Sequence, residues 1–447
     1  MTTIFATSAL LDDGWYDNVR ITLAKGRIAS IEPSAQPQGD DECHEVIVPG
    51  MANLHSHAFQ RAMAGLTEFR GPTNDTFWSW RTIMYDMSLR MTPESVEAVA
   101  ALLYMEMLEA GFCRVGEFHY LHHDMDGRPY DNIAELAERI AAASEVAGIG
   151  LTLLPVFYAH AGFGGMAPIE GQRRFINSLD SFERLMAQCR SFTSHLDGFV
   201  LGVAPHSLRA VTAVELLHLL AVCEDGPVHI HVAEQTQEVE DSLAHSGARP
   251  VQWLLANMPV DQRWCLIHAT HMTETETRDM VQAGAVAGLC PITEANLGDG
   301  IFPCDSFTSL GGRFGVGSDS NVQISLSGEL RMLEYSQRLS LRARNVLARP
   351  EGSTGRNLFD AALVGGAQAL GVQAGIAPGC PADMVALDQN AVPYLAKDRL
   401  LDSWIFAEQA RPKTVWARGR KLVENGRHVR RQEIERAFSA AMQALTA

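Results

Sequence analysis

The side chains best suited to catalysis are histidines and carboxylates that stand at the ends of apolar runs. His55 and His57 form an HxH pair, and residues i and i+2 of a strand point to the same side, so both imidazoles can face one point. The later members of the series are His231 and Glu234 in PVHIHVAE, His268 in CLIHATH and Asp319 in GVGSDS. Three imidazoles and one carboxylate form a donor set that suits zinc or ferrous iron. The sequence therefore predicts a divalent metal site.

The apolar runs that carry these residues alternate with helical patterns over most of the chain. Eight runs have the composition of buried strands: VIVPGMANLHSH, RVGEFHY, GLTLLPVFYAH, GFVLGVAPHS, PVHIHVAE, CLIHATH, AVAGLCPIT and RFGVGSDS. Between them, segments such as PESVEAVAALLYMEMLEAG and TETETRDMVQAG place apolar residues at helical spacing. Continuous apolar strands alternating with helices predict a covered parallel sheet, and eight such units predict a closed (β/α)8 TIM barrel. The candidate residues then lie at the carboxyl ends of the strands, where barrels carry their active sites.

The two ends of the chain have a different pattern. Residues 1–48 and 375–430 both predict short strands joined by turns, and these two segments could pair into one small, discontinuous β domain. The metal-dependent barrel then spans residues 49–374. The amphipathic stretch at 431–447 predicts a C-terminal helix.

The composition excludes several classes of function. Of the 447 residues, 47% are hydrophobic and 20% are charged, which permits a large core and excludes wholesale disorder. The formal net charge of −17 argues against nucleic acid and anionic membranes as partners. The eight cysteines include no CxxC pair, the first residues lack the pattern of a signal peptide, and no apolar run reaches about 18 residues. We therefore expect a cytoplasmic protein with reduced thiols.

The order HxH, His, His and Asp after successive strands resembles the pattern of the amidohydrolase superfamily. The resemblance covers essentially the whole chain and implies a TIM barrel with a small β-sandwich domain formed from both chain termini. It places His55, His57, His231 and Asp319 on one divalent metal ion, with zinc expected and iron the alternative. Dinuclear members carry a carboxylated lysine at strand 4, whereas the corresponding stretch here, GVAPHSLRA, has no lysine. A mononuclear site is therefore expected.

Several longer stretches resemble one family within this superfamily, the formimidoylglutamate deiminases: NLHSHAFQRAMAG, FWSWR, EFHYLHHD, PVFYAHAGFGG, GQRRFIN, HSLRAVT, HIHVAEQ, CLIHATH and TEANLGDGIFP. That resemblance implies hydrolysis of N-formimino-L-glutamate to N-formyl-L-glutamate and ammonia, a step of histidine degradation. It makes Glu234, His268 and Asp319 catalytic: Glu234 and Asp319 move protons, and His268 orients or polarises a hydroxide. The metal would supply that hydroxide by lowering the pKa of its water toward about 7.

The same resemblance places five residues around the substrate: Gln60, Arg81, Tyr120, His206 and Arg209. The substrate is a dianion, and the planar guanidinium fork is the side chain that best grips a carboxylate. The alternative role of the two arginines is a surface salt bridge. For Gln60 and Tyr120 the alternative is packing or a loop hydrogen bond, and for Glu234 it is support of a metal ligand or of a helix N-terminus.

The remaining polar features of the barrel have weaker expectations. His229 shares a strand face with His231 and is expected to pack deeper in the barrel rather than bind the metal. For His271, an exposed loop position and a place in the site are both open. The segment Gly162–Gly165 predicts a flexible loop that could bear on access.

Two other functions stay open. Relatives that deaminate a ring, such as guanine or a thioadenosine-type nucleoside, share the strand-end residues, but a ring calls for an aromatic or apolar slot, whereas a pair of arginines favours carboxylates. A metal-free scaffold protein with the same barrel is the alternative of another class, although such relatives have lost ligands that are all present here. The superfamily resemblance also implies a homodimer or another homo-oligomer.

Overall fold

A computed structural model describes residues 2–70 and 75–447 of the chain. Its strands are β1 (Thr2–Leu11), β2 (Gly14–Ala24), β3 (Arg27–Glu32), β4 (Glu42–Pro49), β5 (Met51–Ser56), β6 (Phe112–His119), β7 (Gly150–Phe157), β8 (Val200–Leu201), β9 (Ala204–Pro205), β10 (Val228–Val232), β11 (Trp264–His268), β12 (Val286–Leu289), β13 (Arg313–Val316), β14 (Met384–Asp388), β15 (Arg411–Ala417), β16 (Arg420–Glu424) and β17 (Arg427–His428).

The helices alternate with the central strands. They are α1 (Phe77–Ser88), α2 (Pro93–Ala110), α3 (Glu135–Ala147), α4 (Leu179–Thr193), α5 (Ala213–Val222), α6 (Thr236–Ser246), α7 (Pro250–Asn257), α8 (Glu274–Ala283), α9 (Pro291–Leu297), α10 (Cys304–Ser309), α11 (Leu326–Leu341), α12 (Thr354–Ala369), α13 (Asp398–Asp402) and α14 (Arg431–Thr446). Short 3-10 turns lie at Ala58–Met63 and Glu170–Gln172, and a π turn lies at Ser403–Ala407.

Strands β5 to β13 form the predicted parallel barrel. Hydrogen bonding runs in the order β5-β6-β7-β8 and β10-β11-β12-β13, and β8 and β9 are two halves of the fourth strand, since both pair with β7. Isolated parallel bridges join Val203 to Val228 and Ser56 to Asp319. The first bridge connects the two half-barrels, and the second closes the barrel between its first and last strands. The TIM barrel prediction is therefore confirmed.

The helices form where sequence spacing and end signals agree. Helix α2 begins after Thr92, whose side chain accepts a hydrogen bond from Ser95 N, has Pro93 in its first turn, and ends at Gly111 with φ of +98°. Its inner face is a continuous set of buried apolar residues. Helix α8 has a capping box between Thr273 and Glu276. Both helices match the segments predicted from spacing.

The expected small β domain contains strands from both chain ends. They form one continuous eight-stranded sheet in the order β17-β16-β15-β14-β4-β1-β2-β3, and the antiparallel pairing of β14 with β4 joins the two terminal segments. The sheet has its own apolar cluster, which includes Ile21, Ile47 and Trp416. The chain enters the barrel at Gly50, where an added Cβ would lie 2.2 Å from Cys113 Sγ. The division at residues 48/49 and 374/375 stays a prediction.

No helix within the described ranges, residues 2–70 and 75–447, has the length and apolar character needed to cross a membrane.

Candidate metal centre and substrate pocket

Four side chains from separate barrel strands meet in one buried cluster. His55 and His57 stand at the end of β5, His231 lies in β10 and Asp319 follows β13, and one ligand atom from each lies within 4.8 Å of the others. The Nε2 atoms of His55 and His57 lie 3.3 Å and 3.1 Å from Asp319 Oδ1. His231 Nε2 lies 3.0 Å from His55 Nε2. The four residues predicted to hold a metal are thus brought together, and all are buried.

Hydrogen bonds to backbone carbonyls fix which imidazole nitrogen faces this cluster. Nδ1–H of His57 donates to Phe118 O at 3.0 Å, and Nδ1–H of His231 donates to His206 O at 3.1 Å. Each Nε2 therefore turns a lone pair toward the cluster. Burial lowers the pKa of His55 to about 3 and that of His231 well below its usual value, so both imidazoles are neutral, the form that binds metals. Imidazole lone pairs and a carboxylate that converge in this way can share a cation, so the donor set fits a divalent metal ion.

The segments that carry these residues have unusual backbone conformations. Ala233, His268 and Asp319 have φ angles of +52°, +65° and +44°. For residues other than glycine, this left-handed region costs about 1–3 kcal/mol and is concentrated at functional sites. Gly317 allows β13 to approach β5, because an added Cβ there would lie 2.7 Å from His55 N.

A buried polar network joins the first and last barrel strands. Asn53 Nδ2 donates to Ser318 Oγ at 2.7 Å, and Ser318 Oγ donates to Asn321 Oδ1 at 2.6 Å. Asn321 Nδ2 then donates to His57 O at 2.9 Å. Such a network of satisfied polar groups is rigid, and it fixes the HxH segment relative to the segment that carries Asp319.

His268 lies among three carboxylates. Its Nε2 lies 3.7 Å from Glu234 Oε1 and 3.8 Å from Asp319 Oδ2, and its Nδ1 lies 3.2 Å from Glu294 Oε1. Burial opposes protonation, but the carboxylates outweigh it and hold the pKa of His268 well above its usual value. Burial raises the pKa of Glu234 to about 7 against the opposing effect of His268. Glu234 can therefore hold and release a proton close to neutral pH.

The loop that carries Glu234 is braced by two further carboxylates. Glu238 accepts hydrogen bonds from the N–H groups of Ala233 at 3.1 Å and Glu234 at 3.3 Å. Asp299 Oδ1 accepts a hydrogen bond from Gln235 Nε2. Burial, and then the nearby Glu234, raise the pKa of Asp299 to about 9. Sequence reasoning assigned no role to Glu238 or Asp299.

A cavity opens beside the cluster. All five residues predicted to contact substrate line it: Gln60, Arg81, Tyr120, His206 and Arg209. The same cavity is lined by Glu234, His268 and Asp319, the residues predicted to be catalytic. Gln60 Nε2 donates to Tyr120 OH at 2.7 Å, while Gln60 Oε1 is buried without a hydrogen-bond partner in the described chain. The structure therefore places every predicted site residue in one pocket or in the adjoining cluster.

The two predicted arginines lie against aromatic rings beside the pocket. The guanidinium carbon of Arg81 lies 4.4 Å from the Trp78 ring centroid and 5.6 Å from that of Tyr85. That of Arg209 lies 5.8 Å from the Trp78 ring centroid. Within residues 2–70 and 75–447, neither arginine forms an ion pair with a carboxylate, and Arg209 Nε is buried without a hydrogen-bond partner. Neither arginine therefore forms the surface salt bridge that was the alternative expectation.

The aromatic part of the pocket was missed by sequence reasoning. Its lining includes Phe77, Trp80, Tyr85, Tyr158 and Phe175. Gln172 Nε2 donates to the hydroxyl groups of Tyr158 at 2.9 Å and Tyr85 at 3.2 Å. The stretches FWSWR, PVFYAHAGFGG and GQRRFIN contain several of these residues, so the signal was present in the sequence without an indication of which side chains face inward.

Two other histidines, His229 and His271, have structural contacts. His229 is buried and lies 2.7 Å from Ala369 O through Nε2, which confirms that it packs deeper in the barrel. His271 is partly buried, and its Nε2 lies 2.9 Å from Asp299 O. The segment Gly162–Gly165 does not line the catalytic pocket in the described part of the chain, and its mobility stays a prediction.

A parallel eight-stranded barrel with imidazoles and a carboxylate at the carboxyl ends of its strands defines a class of barrel hydrolase. The family model described as "Amidohydrolase family" matches residues 46–422. Residues 1–45 match the model of the N-terminal domain of formimidoylglutamate deiminase HutF. The chain belongs to the amidohydrolase family.

Several proteins match the chain over nearly its full length. Formimidoylglutamate deiminase of Pseudomonas aeruginosa is 53% identical over 446 residues, which cover 98% of both chains. A crystal structure of an amidohydrolase from Brucella melitensis has a TM-score of 0.98 and 60% identity, with 100% of both chains covered. An adenosine deaminase from Xanthomonas campestris, solved with bound zinc, has a TM-score of 0.82 at 20% identity over 100% of this chain and 98% of its own. This last likeness supports the fold alone.

Proposed function

We propose that the chain hydrolyses the formimino group of N-formimino-L-glutamate, giving N-formyl-L-glutamate and ammonia. Water adds at the amidine carbon, and the bond from that carbon to the terminal nitrogen breaks. The observation that carries the proposal is one pocket that combines a histidine–carboxylate cluster with two guanidinium groups that lack carboxylate partners in the described chain. The 53% identical relative from Pseudomonas aeruginosa has this activity by name.

The charge of the pocket supports a dianionic substrate. Arg81 and Arg209 both line the cavity, and two positive groups near each other repel unless an anion lies between or beside them. A substrate with two carboxylates supplies one for each guanidinium, and bidentate pairing would set its orientation. The aromatic rings against which the guanidinium groups stack keep the arginine side chains in fixed positions.

The chain's own groups have separate tasks in this proposal. His55, His57, His231 and Asp319 would hold the metal ion, which supplies a nucleophilic water at neutral pH when it is bound. Glu234 gives its proton to the departing nitrogen, a task that suits a carboxyl with a pKa raised to about 7. His268 orients the nucleophile, and Asp319 accepts its proton.

The metal is proposed to be one zinc ion, with iron as the alternative. Nitrogen donors with one carboxylate suit both metals, and the fourth strand, β8 and β9, carries no lysine that could bridge a second ion for catalysis. Elemental analysis of the protein purified without added metal would distinguish the two ions.

We also propose a cytoplasmic location and a homodimer or larger homo-oligomer. All eight cysteines are free, which fits a reducing compartment. Two neighbouring apolar side chains on α5, Val214 and Leu217, are 75% and 52% exposed, as expected of a surface that associates. Light scattering of the purified protein gives the oligomeric state; a monomer at all concentrations would contradict that part.

The decisive test is release of ammonia from N-formimino-L-glutamate, measured with and without a chelator. The proposal expects turnover that the chelator removes and that added zinc or iron restores. Guanine and 5'-methylthioadenosine serve as competing substrates, because the aromatic wall of the pocket could also receive a ring. Faster turnover of guanine or 5'-methylthioadenosine than of N-formimino-L-glutamate would support the ring-deaminase function instead. A protein with no bound metal and no hydrolysis of any of the three would support the scaffold alternative.

A further inference from the structure

A second group of metal donors lies next to the first. Ligand atoms of His268, Cys290 and Asp319 all lie within 4.8 Å of one another, and all three residues are buried. We propose that this triad is an inhibitory site for a second, thiophilic divalent cation such as zinc or cadmium. The inhibitory part rests on the proposed function, whereas binding of the cation does not.

The donor types in the triad favour soft divalent ions. A thiolate selects zinc and cadmium over magnesium or calcium, and an imidazole with a carboxylate completes three of the four positions of a tetrahedral site. Glu234 Oε1 lies 3.7 Å from His268 Nε2 and is placed to act as a fourth donor. On binding, the Sγ–H bond of Cys290 is replaced by an Sγ–metal bond, and the proton leaves to solvent.

The geometry of Asp319 allows both ions to be present. Oδ1 of its carboxylate faces His57 Nε2 at 3.1 Å, whereas Oδ2 faces His268 Nε2 at 3.8 Å. One carboxylate can therefore bridge the two sites, as in paired metal centres whose ions lie about 3.5–4 Å apart. His268 and Asp319 line the cavity, so two of the three donors can be approached from it.

A cation bound to the triad makes His268 unavailable to the reaction. His268 Nδ1 is held by Glu294 at 3.2 Å, so Nε2 is the nitrogen that faces the reacting groups. A cation bound to His268 Nε2 and Cys290 Sγ prevents that nitrogen from orienting the nucleophile, and it also binds Asp319 Oδ2. We therefore expect excess zinc or cadmium to inhibit the enzyme that already holds its first ion.

The experiment titrates cadmium into the holoenzyme after dialysis to one bound metal. It records the bound metal per chain, the ultraviolet thiolate-to-cadmium charge-transfer band and the hydrolytic rate. We expect a second equivalent to bind, with the band, while the rate falls. The first cluster contains no sulfur, so exchange of its ion gives no band.

Two variants separate Cys290 from the other thiols. Cys290→Ser should lose both the charge-transfer band and the second bound equivalent, because a serine hydroxyl is a poor zinc or cadmium ligand. The cadmium concentration that halves the rate should then rise by at least roughly tenfold. Cys265→Ser is the matched control, since Cys265 is equally buried, belongs to the same apolar cluster and lies outside the triad. Each variant is compared with itself without cadmium.

The results distinguish a cation-binding site from a chance proximity of the three side chains. A band that survives in Cys290→Ser, or no second equivalent in the wild type, overturns the site. A band and a second equivalent without loss of rate overturn the inhibitory role only. Failure of the chain to hydrolyse N-formimino-L-glutamate would leave the band and the metal count as valid tests of the site.

Discussion

Replacement of Arg209 by methionine tests the substrate assignment most directly. Arg209 lies in the loop after β9, and its Nε is buried without a hydrogen-bond partner in the described chain. Methionine keeps much of the apolar stem and removes the charge and the donors. The four predicted metal donors are untouched, so the variant should keep its metal.

The size of the effect follows from the burial of the guanidinium. Removing one partner of a buried, hydrogen-bonded charge pair costs about 2–5 kcal/mol. With about 1.36 kcal/mol for each factor of ten, kcat/KM for N-formimino-L-glutamate should fall by about 30-fold to about 5000-fold. Arg209→Lys keeps the charge and loses the planar fork, so its loss should be smaller than that of the methionine variant.

The assay measures ammonia release from N-formimino-L-glutamate and from N-formimino-L-glutamine, which lacks one carboxylate. If Arg209 binds that carboxylate, the methionine variant should lose far less activity on the glutamine derivative than on the natural dianion. Arg81→Met would then show which carboxylate belongs to which arginine. Arg128→Met is the control, because Arg128 is an exposed residue paired with Asp126 and its replacement should change neither substrate. An unchanged kcat/KM in Arg209→Met, or equal losses on all substrates for both pocket arginines, would refute the carboxylate assignment.

Three further variants test the remaining groups. Asp319→Asn should abolish turnover and leave less metal after dialysis, measured by elemental analysis; near-normal activity would contradict the site. Glu234→Gln should lower kcat by about 10²–10⁴-fold with metal content unchanged, because it cannot donate a proton, and an active variant would show that another group protonates the leaving nitrogen. Asp299 has a pKa raised to about 9, first by burial and then by Glu234; the folded chain thus keeps a proton that the unfolded chain releases, and the contribution of Asp299 to the free energy of unfolding of the metal-free protein should fall as pH rises from about 4 to about 9. The difference in free energy of unfolding between the wild type and Asp299→Asn, measured in urea, should therefore change over this pH range, and a constant difference would contradict the assignment.

The metal donors could be predicted from the sequence because strand topology reduces a three-dimensional question to an order along the chain. Parallel strands place their carboxyl ends at one edge, so His55, His231 and Asp319 had to converge once eight alternating strands were identified. The same logic placed His268 and Glu234 nearby. Once the barrel closes, the number of residues between two of these side chains does not indicate how far apart they lie in space.

The aromatic wall could not be predicted in the same way. Trp80 and Tyr85 come from α1 and Phe175 from the segment before α4, and these elements follow the strands at variable distances. Which side chains of a helix face the pocket depends on how the helix packs. Likewise, Phe118 O and His206 O select the imidazole tautomers, and a carbonyl is present at every residue, so no residue type indicates that role.

The closure of the barrel and the formation of the metal cluster depend on the same residues. His57 N donates to Asp319 O at 3.1 Å, and Asp319 N donates to His55 O at 3.0 Å, so the backbone groups of three donors join the first strand to the last. Their side chains then meet inside the junction. An ion that binds these side chains stabilises the closed barrel over any form in which the two strands separate, because binding to the folded state alone shifts the folding equilibrium. The left-handed conformation of Asp319, which is unfavourable by itself, is therefore maintained by the contacts that create the site.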